Sequence, residues 1–134
     1  MARTLEVVPA DARAALERLL GEPVDDVELV ERSWYARLHP GARATTRRNR
    51  ILLAGSAHDF LADPALMLHE YYHVLRQWNR GRLTGWRYVV ESLRRGYLEN
   101  RYERHARRFT ASRLAAFERL KSRAAAELPP MRLQ

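Results

Sequence analysis

The stretch Leu68-His69-Glu70-Tyr71-Tyr72-His73-Val74 decides how this chain is read. It follows Asp63-Pro64, a pair that starts helices: the Asp side chain accepts amide bonds the first turn leaves open, and Pro tolerates the first helical position. On the helix so predicted, from about Asp63 to Arg80, His69 and His73 stand four residues and about 40° apart around the axis. Their rings can converge on one ion at ~2.0–2.1 Å per bond. Glu70 lies about 60° further round than His73, beside such an ion rather than on it. From there its carboxylate can take a proton from a bound water, which is the chemistry of an HExxH zinc motif.

The neighbours of the motif support a helix with one buried face. Projected at about 100° per residue from His69, the residues Met67, Leu68, Tyr71, Tyr72, Val74, Leu75 and Trp78 fall between about 140° and 300°. They form one apolar face, on which Tyr71 and Tyr72 are packing residues. His69, Glu70, His73, Arg76 and Gln77 occupy the other side together with Leu66, so the two imidazoles and the carboxylate point into a cleft. Both residues between Glu70 and His73 are uncharged, as they must be if they enter the core.

Outward from the motif the punctuation gives an α+β order. A first helix is predicted from about Pro9 to Leu20, with Leu16, Leu19 and Leu20 as its apolar edge and Gly21 as its stop. Val27 to Leu38 reads as extended chain ending at His39-Pro40-Gly41, and a second strand is built on Ile51, Leu52 and Leu53, from Arg50 to Ala54. The basic cluster Arg47, Arg48, Arg50 reads as a solvated turn before that strand. Ile51–Ala54, leading toward the motif helix, is the expected cleft rim, where a substrate can add as an extended strand. The segment from Gly55 to Asp63 is a short loop or a single helical turn. Past the motif, Gly81 and Gly85 bracket a connection, and Trp86–Arg95 is predicted helical with Val89, Val90 and Leu93 buried. A long final helix from about Tyr97 to Glu127 ends at Pro129-Pro130.

Composition narrows the classes of function. The chain has 134 residues, 46% hydrophobic and 30% charged, which favours one compact domain and argues against disorder. No stretch approaches the ~20 apolar residues of a membrane span. The N-terminus lacks the apolar run of a secretory signal, so a cytoplasmic location is expected, with export by a signal-independent route still open. Of the 24 basic residues only Lys121 is Lys, and the net charge is +8. That excess suits an acidic protein partner, while the scatter of Arg through helical segments makes nucleic acid a poor fit. There is no Cys, so a metal must be held by His and carboxylates.

A catalytic zinc needs a third protein ligand. His39 precedes Pro40 in a turn and His58 lies in a polar segment, so both are expected to be exposed. Downstream stand Glu91, Glu99, Glu103 and His105. Glu103 is favoured because it borders the apolar stripe Leu98, Tyr102, Ala106, Phe109 and Phe117 of the last helix, and Ala106 one turn on permits close helix approach. His105 lies about 200° away from Glu103. Glu99 shares the face of Glu103 and can substitute for it. For stabilising an oxyanion, Tyr97, Tyr102, His105 and Arg107 are the candidates.

With these residues in view the chain resembles the gluzincin clan of zinc metallopeptidases, in which HExxH is followed by a helical Glu. Over Val27 to Phe109, in Leu68-His69-Glu70-Tyr71-Tyr72-His73-Val74 with Gln77 and the later Glu103, it is also similar to a small domain of unknown function in bacterial proteins associated with extracellular contractile injection systems. The resemblance implies a minimal zincin-like metallopeptidase fold, with Zn²⁺ held by His69, His73 and Glu103. It implies Glu70 as the general base that helps zinc-bound water attack a peptide bond of a peptide or protein substrate. The alternative reading is a non-catalytic zinc-binding interaction or targeting module of a secretion or injection system.

Overall fold

The computed structural model describes residues 8–33, 36, 43–81, 85–95 and 100–127. Among them the elements run α1 (Ala10–Leu20), β1 (Glu28–Val30), β2 (Ala44–Arg47), β3 (Arg50–Leu53), α2 (Ala57–Leu61), α3 (Pro64–Tyr72), a π-helical segment (His73–Trp78), α4 (Gly85–Arg95) and α5 (Arg101–Glu127). The architecture is α+β, a three-stranded sheet with helices around it.

Helix α1 ends as predicted. Gly21 takes the left-handed conformation at φ 72° and donates its N–H to the Glu17 carbonyl at 2.8 Å, which closes the last turn. The sheet has the order β1-β3-β2. β1 runs parallel to β3 with Leu29 opposite Ile51, and β2 runs antiparallel with Thr46 opposite Ile51. Two sequence expectations change here. The first strand stops at Val30 because Arg32 turns the chain at φ 47°; Trp34, Tyr35 and 37–42 lie outside the described residues. The segment before Arg48 is a strand as well, built on the β-branched pair Thr45 and Thr46.

β2 and β3 join through Arg48 and Asn49, where Asn49 adopts φ 58°. The turn places Arg47 opposite Arg50, a like-charge pair, and the Arg47 guanidinium lies 5.6 Å from the centroid of the Trp78 ring. β3 is the central strand, bonded on both sides, so a peptide cannot add to it as the sequence suggested. β1 and β2 are the edge strands of this sheet, and Trp78 at the end of the motif helix donates its indole N–H to Thr46 Oγ1 of β2 at 3.0 Å.

Helix α3 starts at the predicted cap: Asp63 Oδ1 accepts the Leu66 amide at 3.1 Å. Met67, Leu68, Tyr71, Val74 and Leu75 are buried in one cluster with Leu16 and Leu20 of α1, Ile51 and Leu53 of the sheet, and Phe117 of α5. This is the apolar face read from the sequence. Past Tyr72 the helix widens: Asn79 donates to the Val74 carbonyl five residues back, at 2.8 Å. A regular α-helix to Arg80 was expected. The wider turn accompanies a series of tertiary bonds: Arg76 to the Leu20 carbonyl at the end of α1, Gln77 to the Tyr102 carbonyl, Trp78 to Thr46, and Asn79 to Asn49.

Helix α4 departs from its predicted orientation at Leu93, which is 83% exposed instead of buried; Val90 is half-buried, and the Val89 side chain lies outside the described residues. The side carrying Tyr88, Glu91 and Ser92 faces the start of α5, where Glu91 accepts the Arg101 amide at 3.3 Å and Ser92 accepts from Asn100 at 2.9 Å. Polar bonds at that junction hold this side of the helix, with Leu93 left outside it. Helix α5 packs across both α1 and α3, bringing Tyr102 and Ala106 into burial beside the motif.

Candidate metal centre

His69 stands in the last turn of α3, His73 opens the π-helical segment that continues it, and Glu103 comes from the first turn of α5. The His69 and His73 Nε2 atoms are 3.2 Å apart. Glu103 spans both with its two oxygens, Oε2 at 3.1 Å from His69 Nε2 and Oε1 at 3.2 Å from His73 Nε2. Glu70, His73 and Glu103 are buried, and His69 is half-buried. The three predicted ligands are thus the residues the fold brings together, in a group that could hold a metal ion.

The chemistry of the donor set fits a cation. His73 Nδ1 meets Gln77 Oε1 at 2.6 Å, and since that oxygen only accepts, Nδ1 carries a proton. In the neutral ring Nε2 then presents a lone pair toward a second imidazole nitrogen and a carboxylate oxygen. Electron-rich atoms this close need positive charge among them, from protons or from a metal ion. Tetrahedral coordination at ~2.0–2.1 Å per bond spaces ligand atoms by roughly 3.3 Å, close to the contacts of 3.1–3.2 Å found here.

Without an ion, protons on the imidazoles take the place of that positive charge. Burial works against ionisation of Glu103, but hydrogen bonds from His69 and His73, with their charge, outweigh it and hold the carboxyl well below the ordinary range. Burial also disfavours the charged form of His73. The Glu103 hydrogen bond and charge, the Glu70 charge and the Gln77 bond overcome it and raise the pKa. Glu70 is raised as well, chiefly by burial and slightly by Glu103, against the lowering influence of His73 and His69. A carboxylate with raised proton affinity beside a cation site is suited to accept and return a proton.

Other candidates lie elsewhere. Glu99, Tyr97 and His39 are outside the described residues. Glu91 is buried but bonds Arg101 and Arg95. His58 and His105 are exposed; partial burial and the guanidinium groups of Arg108, Arg104 and Arg101 lower the pKa of His105. Tyr102 is buried, and its hydroxyl accepts from Arg101 at 3.0 Å. Arg107 is exposed. The sequence reading missed Tyr88, whose hydroxyl donates to Glu103 Oε1 at 3.1 Å. Its helix carries an apolar stripe on another side, and that stripe drew the reading away from the polar one.

Fold and cluster together define a small α+β domain with a candidate metal centre of two imidazoles and a carboxylate. The chain belongs to the eCIS core domain family, whose model matches residues 7–81, and this relates it to extracellular contractile injection system proteins. The match takes in α1, the sheet, His69, Glu70, His73 and Gln77, and ends before Tyr88 and Glu103; the sequence resemblance spanned Val27–Phe109 instead. Comparison with curated proteins and with solved structures gives no match.

Proposed function

We propose that the protein binds zinc through His69, His73 and Glu103 on a minimal zincin-like fold and hydrolyses peptide bonds. The observation that carries this reading is the convergence of two imidazole nitrogens and both oxygens of one carboxylate, with contacts of 3.1–3.2 Å. Held by His69, His73 and Glu103, zinc would supply Lewis-acid polarisation of a carbonyl and would lower the pKa of water toward ~7. Glu70 takes the proton of the attacking water and delivers it to the leaving amine. Burial favours this, because it raises the carboxylate's proton affinity. The outer edge of β2 offers backbone groups to an extended peptide, and its Thr46 is tied to the motif helix by Trp78. Tyr88 donates its hydroxyl proton to the ligand carboxylate and so steadies Glu103, while the Tyr102 hydroxyl accepts from Arg101 and keeps its own proton.

Family membership favours a second reading, in which the zinc-bound domain is a non-catalytic targeting module of an injection system and its charge of +8 meets an acidic protein partner. One experiment separates the two. Purified protein is assayed for zinc content, for the rise in melting temperature on zinc addition, and for cleavage of a broad peptide library. Hydrolysis predicts stoichiometric zinc in the wild type and in Glu70→Gln, turnover only in the wild type, and neither in His69→Ala. Stoichiometric zinc with no cleavage of any peptide selects the targeting module. Absence of zinc binding overturns both.

A further inference from the structure

We infer that Gln77 fixes the tautomer of His73 and locks the two ligand-bearing helices together, acting as the positioning residue of the metal centre; this rests on the zinc reading above. The Gln77 side chain is buried and bonded at both ends: Oε1 to His73 Nδ1 at 2.6 Å, and Nε2 to the Tyr102 backbone carbonyl at 3.0 Å. The direction of this relay has one solution. A backbone carbonyl only accepts, so the Gln77 amide nitrogen must face Tyr102 and its oxygen must face His73. The oxygen only accepts in turn, so His73 Nδ1 donates. Neutral His73 is thereby left with its lone pair on Nε2, the atom 3.2 Å from both His69 Nε2 and Glu103 Oε1.

The same amide holds the residue next to Glu103 in sequence, so one side chain sets His73 at the start of the π-helical segment and the backbone that presents the ligand on α5. The π-helical segment makes this possible. In a continuing α-helix Gln77 stands about 40° past His73, on the Glu70 side. At the roughly 80° per residue of a π turn it falls about 40° back instead, on the side of His69 and away from Glu70. Partners of this kind beyond the ligands typically change metal affinity by about 10- to 100-fold when removed.

The test uses the full chain, with zinc as the probe, and two variants. Gln77→Met keeps the shape and removes both polar ends; Gln77→Glu keeps the acceptor for His73 and removes the donor to Tyr102. Ring ¹⁵N chemical shifts of His73, recorded in the metal-free protein with the imidazole neutral, report the tautomer. Competition with a chromophoric chelator reports zinc affinity. The expected result is the Nδ1–H form in the wild type and in Gln77→Glu, and a shift toward Nε2–H in Gln77→Met with zinc affinity lowered about 10- to 100-fold. Gln77→Glu should bind zinc more tightly than Gln77→Met but melt below the wild type. A Gln77→Met protein with the wild-type tautomer and wild-type affinity overturns the inference. If Gln77→Met does not fold, an Nε2–H ring in the wild type or in Gln77→Glu overturns it. Failure of the wild type to bind zinc sinks the metal reading alone, since the tautomer is read without metal.

Discussion

The two helices that meet Glu103 are held in opposite ways. Helix α3 is fixed by its apolar face, with Met67, Leu68, Tyr71 and Val74 fully buried, and its site residues project from that anchored rod. Helix α4 turns Leu93 to solvent and is pinned through polar contacts around the start of α5: Tyr88 to Glu103, Glu91 to the Arg101 amide, Ser92 to Asn100. One wall of the site is therefore set by hydrophobic burial, which acts whether or not the site is assembled. The other is set by hydrogen bonds that converge on the site itself, so the position of α4 is coupled to the state of Glu103.

Substitutions that attack each mode of attachment test this contrast. The largest effect is expected at Leu68, which is fully buried in the main cluster. Leu68→Ala should cost about 2–5 kcal/mol in denaturant unfolding, through lost transfer energy and the cavity left behind. A cost under about 1 kcal/mol means the motif helix is not anchored by its apolar face. Tyr88→Phe comes next. It removes one hydrogen bond to the ligand carboxylate, and zinc affinity measured by chelator competition should fall about 10-fold. Unfolding stability should change by only about 1 kcal/mol. Unchanged affinity would detach α4 from the metal centre.

The sequence made the first mode of attachment legible and hid the second. The spacing of His69, Glu70 and His73, the start at Asp63-Pro64 and the apolar positions of α3 all follow from helical period and capping, which are local. Glu103 was reachable because it borders an apolar stripe that had to pack. Tyr88 was not, because its helix carries an apolar stripe that burial arguments turn inward, while the bonds that hold its polar side, Glu91 to the Arg101 amide and Tyr88 to Glu103, span ten and fifteen residues. The strand Ala44–Arg47 was hidden for a related reason. Four residues with one conspicuous Arg cluster read as a turn until pairing with β3 is seen. The widening at His73–Trp78 depends on partners in α1, the sheet and α5, none of which is local to it.

Tyr71 refines the picture of α3, because its fully buried hydroxyl has no hydrogen-bond partner among the described residues. Burial alone raises its pKa. A polar group stranded in this way costs free energy, so Tyr71→Phe should leave stability unchanged or raise it by up to about 1 kcal/mol. A loss of more than about 1 kcal/mol in chemical denaturation would show that the hydroxyl is bonded after all.

The smallest effect is expected at Leu93, and it separates the two helices most sharply. Leu68 and Leu93 are the same side chain on neighbouring walls of one site, 0% and 83% exposed. If α4 is attached by polar bonds alone, Leu93→Ser removes nothing that folding buries, and unfolding free energy should stay within about 0.5 kcal/mol of the wild type. Zinc affinity should stay with it, since Tyr88 and Glu91 are untouched. A loss above about 1 kcal/mol would mean that Leu93 is buried when the protein folds in solution. The helix would then be anchored like α3, and the coupling between its position and Glu103 would no longer follow.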